Sequence, residues 1–217
     1  MSRTAATLTI PRLYPILDTA VLARRGADPL ETAEIMLSSG VKILQLRHKA
    51  HFSRELFETA ERIAALCARA GAPFVVNDRA DIAALLGAGL HVGQDDLPPA
   101  EARGIIGPGA LLGFSTHSDA QLTAASGESA DYLALGPMFA TASKENPDPV
   151  VGVDRWAEWR KLTLLPLVAI GGITRRNAAI ALKAGASSLA VIGDLYPEPF
   201  TPEAFKERIR EWLNLVS

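Results

Sequence analysis

Three polar side chains, Gln45, Arg47 and Lys49, alternate with Leu44, Leu46 and His48 at the end of the apolar run Val41-Lys42-Ile43. In an extended strand they share one face. Burying unpaired cations costs several kcal/mol or more, so this face is expected to meet an anion; the plain alternative is an amphipathic edge strand with solvated charges. Further along, Asn77-Asp78 and Gly93-Gln94-Asp95-Asp96 follow two more apolar runs. If those runs are neighbouring strands, about 5 Å apart, Asp78 and Asp96 are close enough to share a divalent cation. Oxygen ligands without a His or Cys partner suit Mg²⁺, which takes one or two carboxylates and completes its shell with phosphate oxygens and water. Without a metal, Asp78 reads as a helix N-cap and Asp96 as a loop cap before Pro98-Pro99. Gly171-Gly172-Ile173-Thr174 and Ile192-Gly193-Asp194 form a different kind of pocket, in which backbone N–H groups can approach phosphate oxygens. A tight turn capped by Thr174 has the same sequence. Two anion sites of unlike chemistry predict two phosphorylated substrates, or one with a phosphate at each end. No Ser/His/Asp order or paired-glutamate spacing stands out. His91 reads as a packed strand residue and His117 as a loop or cap residue, neither expected to move protons.

The elements that must hold these residues alternate along the chain. Leu13 to Asp18 is the first strand. Asp28 and Pro29 open a helix to about Ser39. Val41 to Arg47, Phe74 to Asn77, Leu90 to Val92 and Leu111 to Phe114 follow as strands, then Tyr132 to Leu135, Leu167 to Ile170 and Ser188 to Ile192. Helices are expected between them, at about 53–70, 78–86, 98–106, 118–125, 154–161 and 175–184. A loop from Gly136 to Gly152 carries Thr141, Ser143 and Lys144. The last helix, Pro202 to about Leu215, spaces Phe205, Ile209 and Trp212 along one face. Gly40, Gly71, Gly89 and Gly185 read as helix C-caps that feed strands. Alternating strands and helices imply an α/β fold with a parallel sheet and right-handed crossovers. Eight strands favour a single closed (β/α)8 TIM barrel over residues 1–217, with 1–11 as a loose N-terminal arm. The alternative, a doubly wound open sheet, usually has a Gly-rich first turn, which is missing after Asp18. A barrel gathers its chemistry at the C-terminal ends of its strands. Gln45, Arg47, Asn77, Ser115 and the two glycine turns all fall there.

Composition narrows the function classes. With 48% apolar residues, 21% charged residues and a net charge of −2, the chain of 217 residues has no basic footprint for nucleic acid. Cys67 is the only cysteine, so neither an intrachain disulfide nor a cysteine zinc cluster can form. Its helical surroundings make it an inert core residue. Met1 to Ile10 lacks the pattern of a signal peptide, and no apolar run approaches membrane-spanning length. A cytoplasmic protein acting on small molecules, without nucleic acid or membrane partners, is expected. The sequence is compatible with a homo-oligomer and does not set the number of copies.

Six motifs, taken in order, resemble thiamine-phosphate synthases. They are Gln45-Leu46-Arg47-His48-Lys49, Asn77-Asp78, His91-Val92-Gly93-Gln94-Asp95-Asp96, Gly113-Phe114-Ser115-Thr116-His117, Gly136 to Lys144, and Gly171-Gly172-Ile173. The resemblance implies a (β/α)8 barrel that joins a hydroxymethylpyrimidine diphosphate to a thiazole phosphate with Mg²⁺. It assigns Gln45, Arg47, Lys49, Asn77, Ser115 and Lys144 to the pyrimidine diphosphate, with Arg47, Lys49, Ser115 and Lys144 as the catalytic set. Asp78 and Asp96 would hold Mg²⁺. Thr141, Ser143, Gly171, Gly172, Ile192 and Gly193 would surround the thiazole phosphate. The family reaction is a dissociative displacement by a nitrogen that carries no proton, so it needs no general base. Ala140, Ser143 and Gly193 depart from residues common in the family, all around the thiazole phosphate. A related thiazole aromatase typically lacks the aspartate pair, and a non-catalytic binder of thiamine phosphate has no need for Arg47, Lys49, Asp78 and Asp96 together.

Overall fold

The computed structural model describes residues 9–141 and 148–217. Eight parallel strands close into a barrel in sequence order, with β1 pairing both β2 and β8. The strands are β1 (Leu13–Asp18), β2 (Leu44–Arg47), β3 (Phe74–Asn77), β4 (Gly89–Val92), β5 (Leu112–Thr116), β6 (Tyr132–Leu135), β7 (Leu167–Ala169) and β8 (Ser188–Val191). The expected α/β barrel is the observed one. Around it lie α1 (Thr19–Arg25), α2 (Pro29–Ser38), α3 (Arg54–Ala70), α4 (Ala80–Leu86) and α5 (Pro99–Ile106), followed by α6 (Asp119–Ala125), α7 (Val153–Trp159), α8 (Ala178–Lys183) and α9 (Pro202–Val216).

Alternation along each strand divides the core in two. Residues of one parity pack outward against the helices, as Leu44, Leu46, Val76, Leu90, Leu133 and Leu189 do. The other parity fills the barrel interior with Tyr14, Ile16, Ile43, Val75, Tyr132, Ala134, Val168 and Ala190. The same interior parity carries Gln45, Asn77, His91 and Ser188, four of the buried polar residues. Three of these four lie toward the C-terminal end of the barrel and become part of the site.

The caps follow the local chemistry. Asp28 accepts from the Glu31 N–H at 2.8 Å ahead of Pro29, and Ser53 accepts from the Leu56 N–H at 3.2 Å. Phe205, Ile209 and Trp212 all lie fully buried on one face of α9. Three sequence readings are corrected. The helix α1 was not foreseen; Asp18 starts it by accepting from the Val21 N–H at 3.0 Å, directly at the strand end. The glycine that closes α4 is Gly87, at φ +60°, and Gly89 is the first residue of β4. A Cβ at Gly89 would stand 2.8 Å from the Leu111 carbonyl oxygen, so the residue is small because the next strand passes close by. Finally, α8 begins at Ala178 rather than Arg175, because Asn177 folds back to accept from the Thr174 N–H at 2.7 Å and holds a turn before the helix.

Candidate active site

The strand C-termini open into one cavity of about 620 Å³. Gln45, Arg47, Lys49, Asn77, Asp78, Asp96, Ser115, Thr141, Gly171, Gly172, Ile192 and Gly193 all line it. Ser143 and Lys144 lie outside the described residues. The cavity therefore brings together every expected site residue that the structure describes.

On one side stand the charged groups. Arg47 is half-buried and forms an ion pair with Asp18, a carboxylate that is itself buried. Lys49 pairs in the same way with Asp78. The cationic face of β2 thus already meets two carboxylates of its own chain. Sequence reading missed Asp18; its signal was a charged residue ending an otherwise apolar strand directly beside Arg47, its register partner. Asp78 does not cap α4, which begins after Arg79 without any side-chain cap. It sits instead at φ +65°, the one non-glycine residue with positive φ among the described residues. Its N–H donates to the His91 carbonyl at 2.8 Å, which fixes the turn between β3 and α4 against β4. This conformation is costly for a residue with a Cβ, and here it aims the carboxylate at Asp96. Burial, and then the Asp96 carboxyl within hydrogen-bonding reach, hold the Asp78 pKa above the usual carboxylate range, against the pull of Lys49. Asp96 also accepts from the Gly93 N–H at 2.7 Å, so its loop-capping role and its place in the site coexist.

Two facing carboxylates at neighbouring strand ends fit a small, hard cation. Among the described residues no group of three or more His, Cys, Asp or Glu could hold a metal. The donor set is thus too sparse for an all-protein cage and suits an ion that takes most of its shell from a substrate and water. Beside it, Asn77 is 8% exposed and its Nδ2 has no partner, an amide donor buried at the cavity wall. An unpaired buried donor costs about 1–3 kcal/mol, a cost that an acceptor on a bound molecule would remove.

Across the barrel, β7 and β8 present backbone. Gly171 and Gly172 have φ of +88° and +65°, and a Cβ on either would stand 2.4 or 2.3 Å from the loop that follows β6. Asn177 braces the turn from below, donating to the Gly172 carbonyl at 2.9 Å. The turn after β8 is anchored by Arg175, whose N–H and Nε donate to Asp194 at 3.2 and 2.9 Å, and by Arg208, which donates to the Asp194 carbonyl at 2.8 Å.

The floor of the cavity is polar as well. Tyr14, Gln45, His91, Tyr132 and Ser115 lie in contact there, and burial drives the His91 pKa down to about 4, keeping the imidazole neutral. His91 is buried, as expected of a packed strand residue, but each of its nitrogens meets a hydroxyl. The two tyrosines were not singled out from sequence; tyrosines at inward-facing strand positions were the available signal, since a buried hydroxyl demands a partner. His117 lies at the rim, where its Nδ1 donates to the Gly136 carbonyl oxygen at 2.6 Å.

Comparison with known proteins agrees with this geometry. The family model described as thiamine monophosphate synthase matches residues 13–195. A thiamine-phosphate synthase of Koribacter versatilis is 46% identical over 221 aligned positions, covering 98% of this chain and 99% of that protein. One from Methanoculleus marisnigri is 43% identical, with 86% and 88% covered. Among solved structures, a thiamine phosphate pyrophosphorylase from Pyrococcus furiosus superposes with a TM-score of 0.81 at 30% identity, covering 94% of this chain and 95% of that one. The match spans all eight strands and the loops that line the cavity, and on that ground the chain belongs to the thiamine monophosphate synthase family.

Proposed function

We propose that this protein condenses 4-amino-2-methyl-5-(diphosphooxymethyl)pyrimidine with 4-methyl-5-(2-phosphooxyethyl)thiazole, giving thiamine phosphate and pyrophosphate, and that the barrel works as one domain. The observation that carries this reading is a single cavity with a carboxylate pair and two cations at the ends of β2 to β4 and two backbone glycine turns after β7 and β8. One side suits a diphosphate with its metal, and the other suits a phosphate monoester.

Arg47, Lys49 and the Asn77 amide bind and orient the diphosphate. Lys144 of the loop after β6 belongs to the same group by family resemblance. Asp78 and Asp96 would hold Mg²⁺, which when bound supplies charge neutralisation for the diphosphate. The C–O bond between the pyrimidine methylene and the diphosphate breaks, and its electron pair leaves with the diphosphate. The lone pair of the thiazole nitrogen then forms the new C–N bond. No proton has to be removed, so the step needs no general base. Arg47 and Lys49 stabilise charge as it grows on the leaving group. The turns at Gly171-Gly172 and Ile192-Gly193, with Thr141 and, by family resemblance, Ser143, position the second substrate so that its nitrogen faces the methylene.

The test is to incubate the purified protein with both substrates, with and without Mg²⁺, and to measure pyrophosphate and thiamine phosphate. Equal amounts of both products, dependent on Mg²⁺, are expected. Tight binding of thiamine phosphate without turnover would overturn the reading in favour of a binding protein. Among the described residues, no helix is long and apolar enough to cross a membrane. We place the enzyme in the cytoplasm, acting on small molecules alone.

A further inference from the structure

Five side chains on the cavity floor form a continuous series. Gln45 Nε2 donates to the Tyr14 hydroxyl at 3.0 Å. The Tyr14 and Tyr132 hydroxyls are 2.7 Å apart. The Tyr132 hydroxyl lies 3.0 Å from His91 Nδ1, and His91 Nε2 lies 2.8 Å from Ser115 Oγ. The strands are shaped to accommodate this series. The Tyr132 and His91 rings stack with centroids 5.6 Å apart, over a glycine. A Cβ at Gly113 would stand 2.1 Å from Tyr132 Cζ and 2.4 Å from His91 Nδ1, so β5 has no side chain where those rings meet.

The order of protons along such a series is constrained. An amide N–H can only donate, each hydroxyl has one proton to give, and a neutral imidazole carries one N–H. With Gln45 donating, and with Tyr14 and Tyr132 buried so that each hydroxyl proton must find its acceptor within the series, the Tyr14 proton goes to Tyr132 and the Tyr132 proton goes to Nδ1. The ring proton then sits on Nε2 and goes to Ser115 Oγ, and the Ser115 proton is left for the cavity. At the other end, the Gln45 carbonyl oxygen is left for the cavity. Reversing one link reverses all of them: His91 would carry its proton on Nδ1, and the cavity would meet a Gln45 NH₂ and a serine lone pair.

We propose that Tyr14, Tyr132 and His91 are positioning residues that lock Gln45 as an acceptor and Ser115 as a donor, and so select an aminopyrimidine over an oxopyrimidine. This rests on the pyrimidine diphosphate reading of the site. An aminopyrimidine offers an amino donor and bare ring nitrogens as acceptors, which match the locked pair. A 4-oxo analogue offers a carbonyl and a ring N–H, which match only the reversed order. Buried polar groups left unpaired by the wrong substrate are a strong basis for rejection.

Two measurements test it. Nitrogen-15 NMR of His91 in the unliganded protein at neutral pH reads the tautomer directly, and a proton on Nε2 with a bare Nδ1 is expected. A proton on Nδ1 would overturn the proposal. The second compares kcat/KM for the 4-amino and 4-oxo pyrimidine diphosphates in wild type and Tyr132→Phe. The phenylalanine fills the same space and cuts the series in the middle. Discrimination is expected to fall about tenfold or more, chiefly through a higher KM for the amino substrate. A soluble variant that keeps its discrimination within about twofold would overturn the selective role. If the wild-type protein forms no thiamine phosphate, the functional reading fails, and the tautomer alone then decides whether the locked order exists.

Discussion

Asp78 concentrates the tension between stability and function in one residue. Its backbone sits at φ +65°, where glycine is at home, and its carboxylate is held against Asp96. Its partner Lys49 is about half exposed, so their ion pair contributes little to stability. Asp78→Gly removes the backbone strain and the carboxylate repulsion, while adding flexibility to the unfolded chain. These terms are each about 1 kcal/mol and of opposite sign. Urea unfolding is therefore expected to find the variant within about 1 kcal/mol of wild type, while product formation falls by about two orders of magnitude or more. Marked destabilisation would mean that Asp78 is a structural turn residue. Asp96→Asn separates the two roles of its side chain. The amide oxygen still accepts from the Gly93 N–H, so the loop is kept, but turnover is expected to drop and the Mg²⁺ requirement to rise.

The elements place two loops against each other where the phosphate monoester is proposed to bind. A Cβ at Gly172 would meet the Ala140 carbonyl oxygen at 2.3 Å and Phe139 Cβ at 2.8 Å, in a backbone conformation that already disfavours it. Gly172→Ala must push the loop after β7 away from the loop after β6. Kinetics should record this as a rise of about tenfold or more in KM for the thiazole phosphate, with a smaller change for the pyrimidine diphosphate, most of whose groups lie at the ends of β2 to β5. Equal effects on both would show that the two sides of the cavity are not independent. At this scale much was legible in the sequence. Strand ends, the helix cap at Asp28, and the glycine turns have local causes, and local causes leave local signatures. What was not legible depends on neighbours. Gly89 resembled a C-cap because the approach of Leu111 that demands a glycine comes from another strand. Asp18, a charge that ends an apolar strand, can be matched to Arg47 only once β1 and β2 are in register.

At the scale of the whole molecule, barrel closure turns scattered polar residues into one buried network, and that has a consequence for acid stability. Alternation along a single strand indicates that Gln45 points somewhere other than Leu44, and His91 reads only as a packed strand residue. Only closure brings Tyr14 of β1 to Tyr132 of β6, because contacts across the barrel have no fixed sequence spacing. The network buries His91 so deeply that its pKa falls to about 4, through loss of hydration, partly offset by the Asp96 charge. In the unfolded chain an imidazole titrates near 6.5. Between these values the unfolded state holds a proton that the folded state excludes, so stability rises with pH across that window. The contribution is complete above about pH 6.5 and is lost as the pH falls toward 4, a total of about 3 kcal/mol at up to ~1.4 kcal/mol per pH unit. Carboxylates also titrate in this range, so the comparison must be made against His91→Gln, in which they are unchanged. Chemical unfolding from pH 8 to pH 4 is expected to show the variant less stable at pH 8 and the gap narrowing by about 3 kcal/mol toward pH 4. A gap that stays constant with pH would mean that His91 keeps an ordinary affinity for protons in the folded barrel.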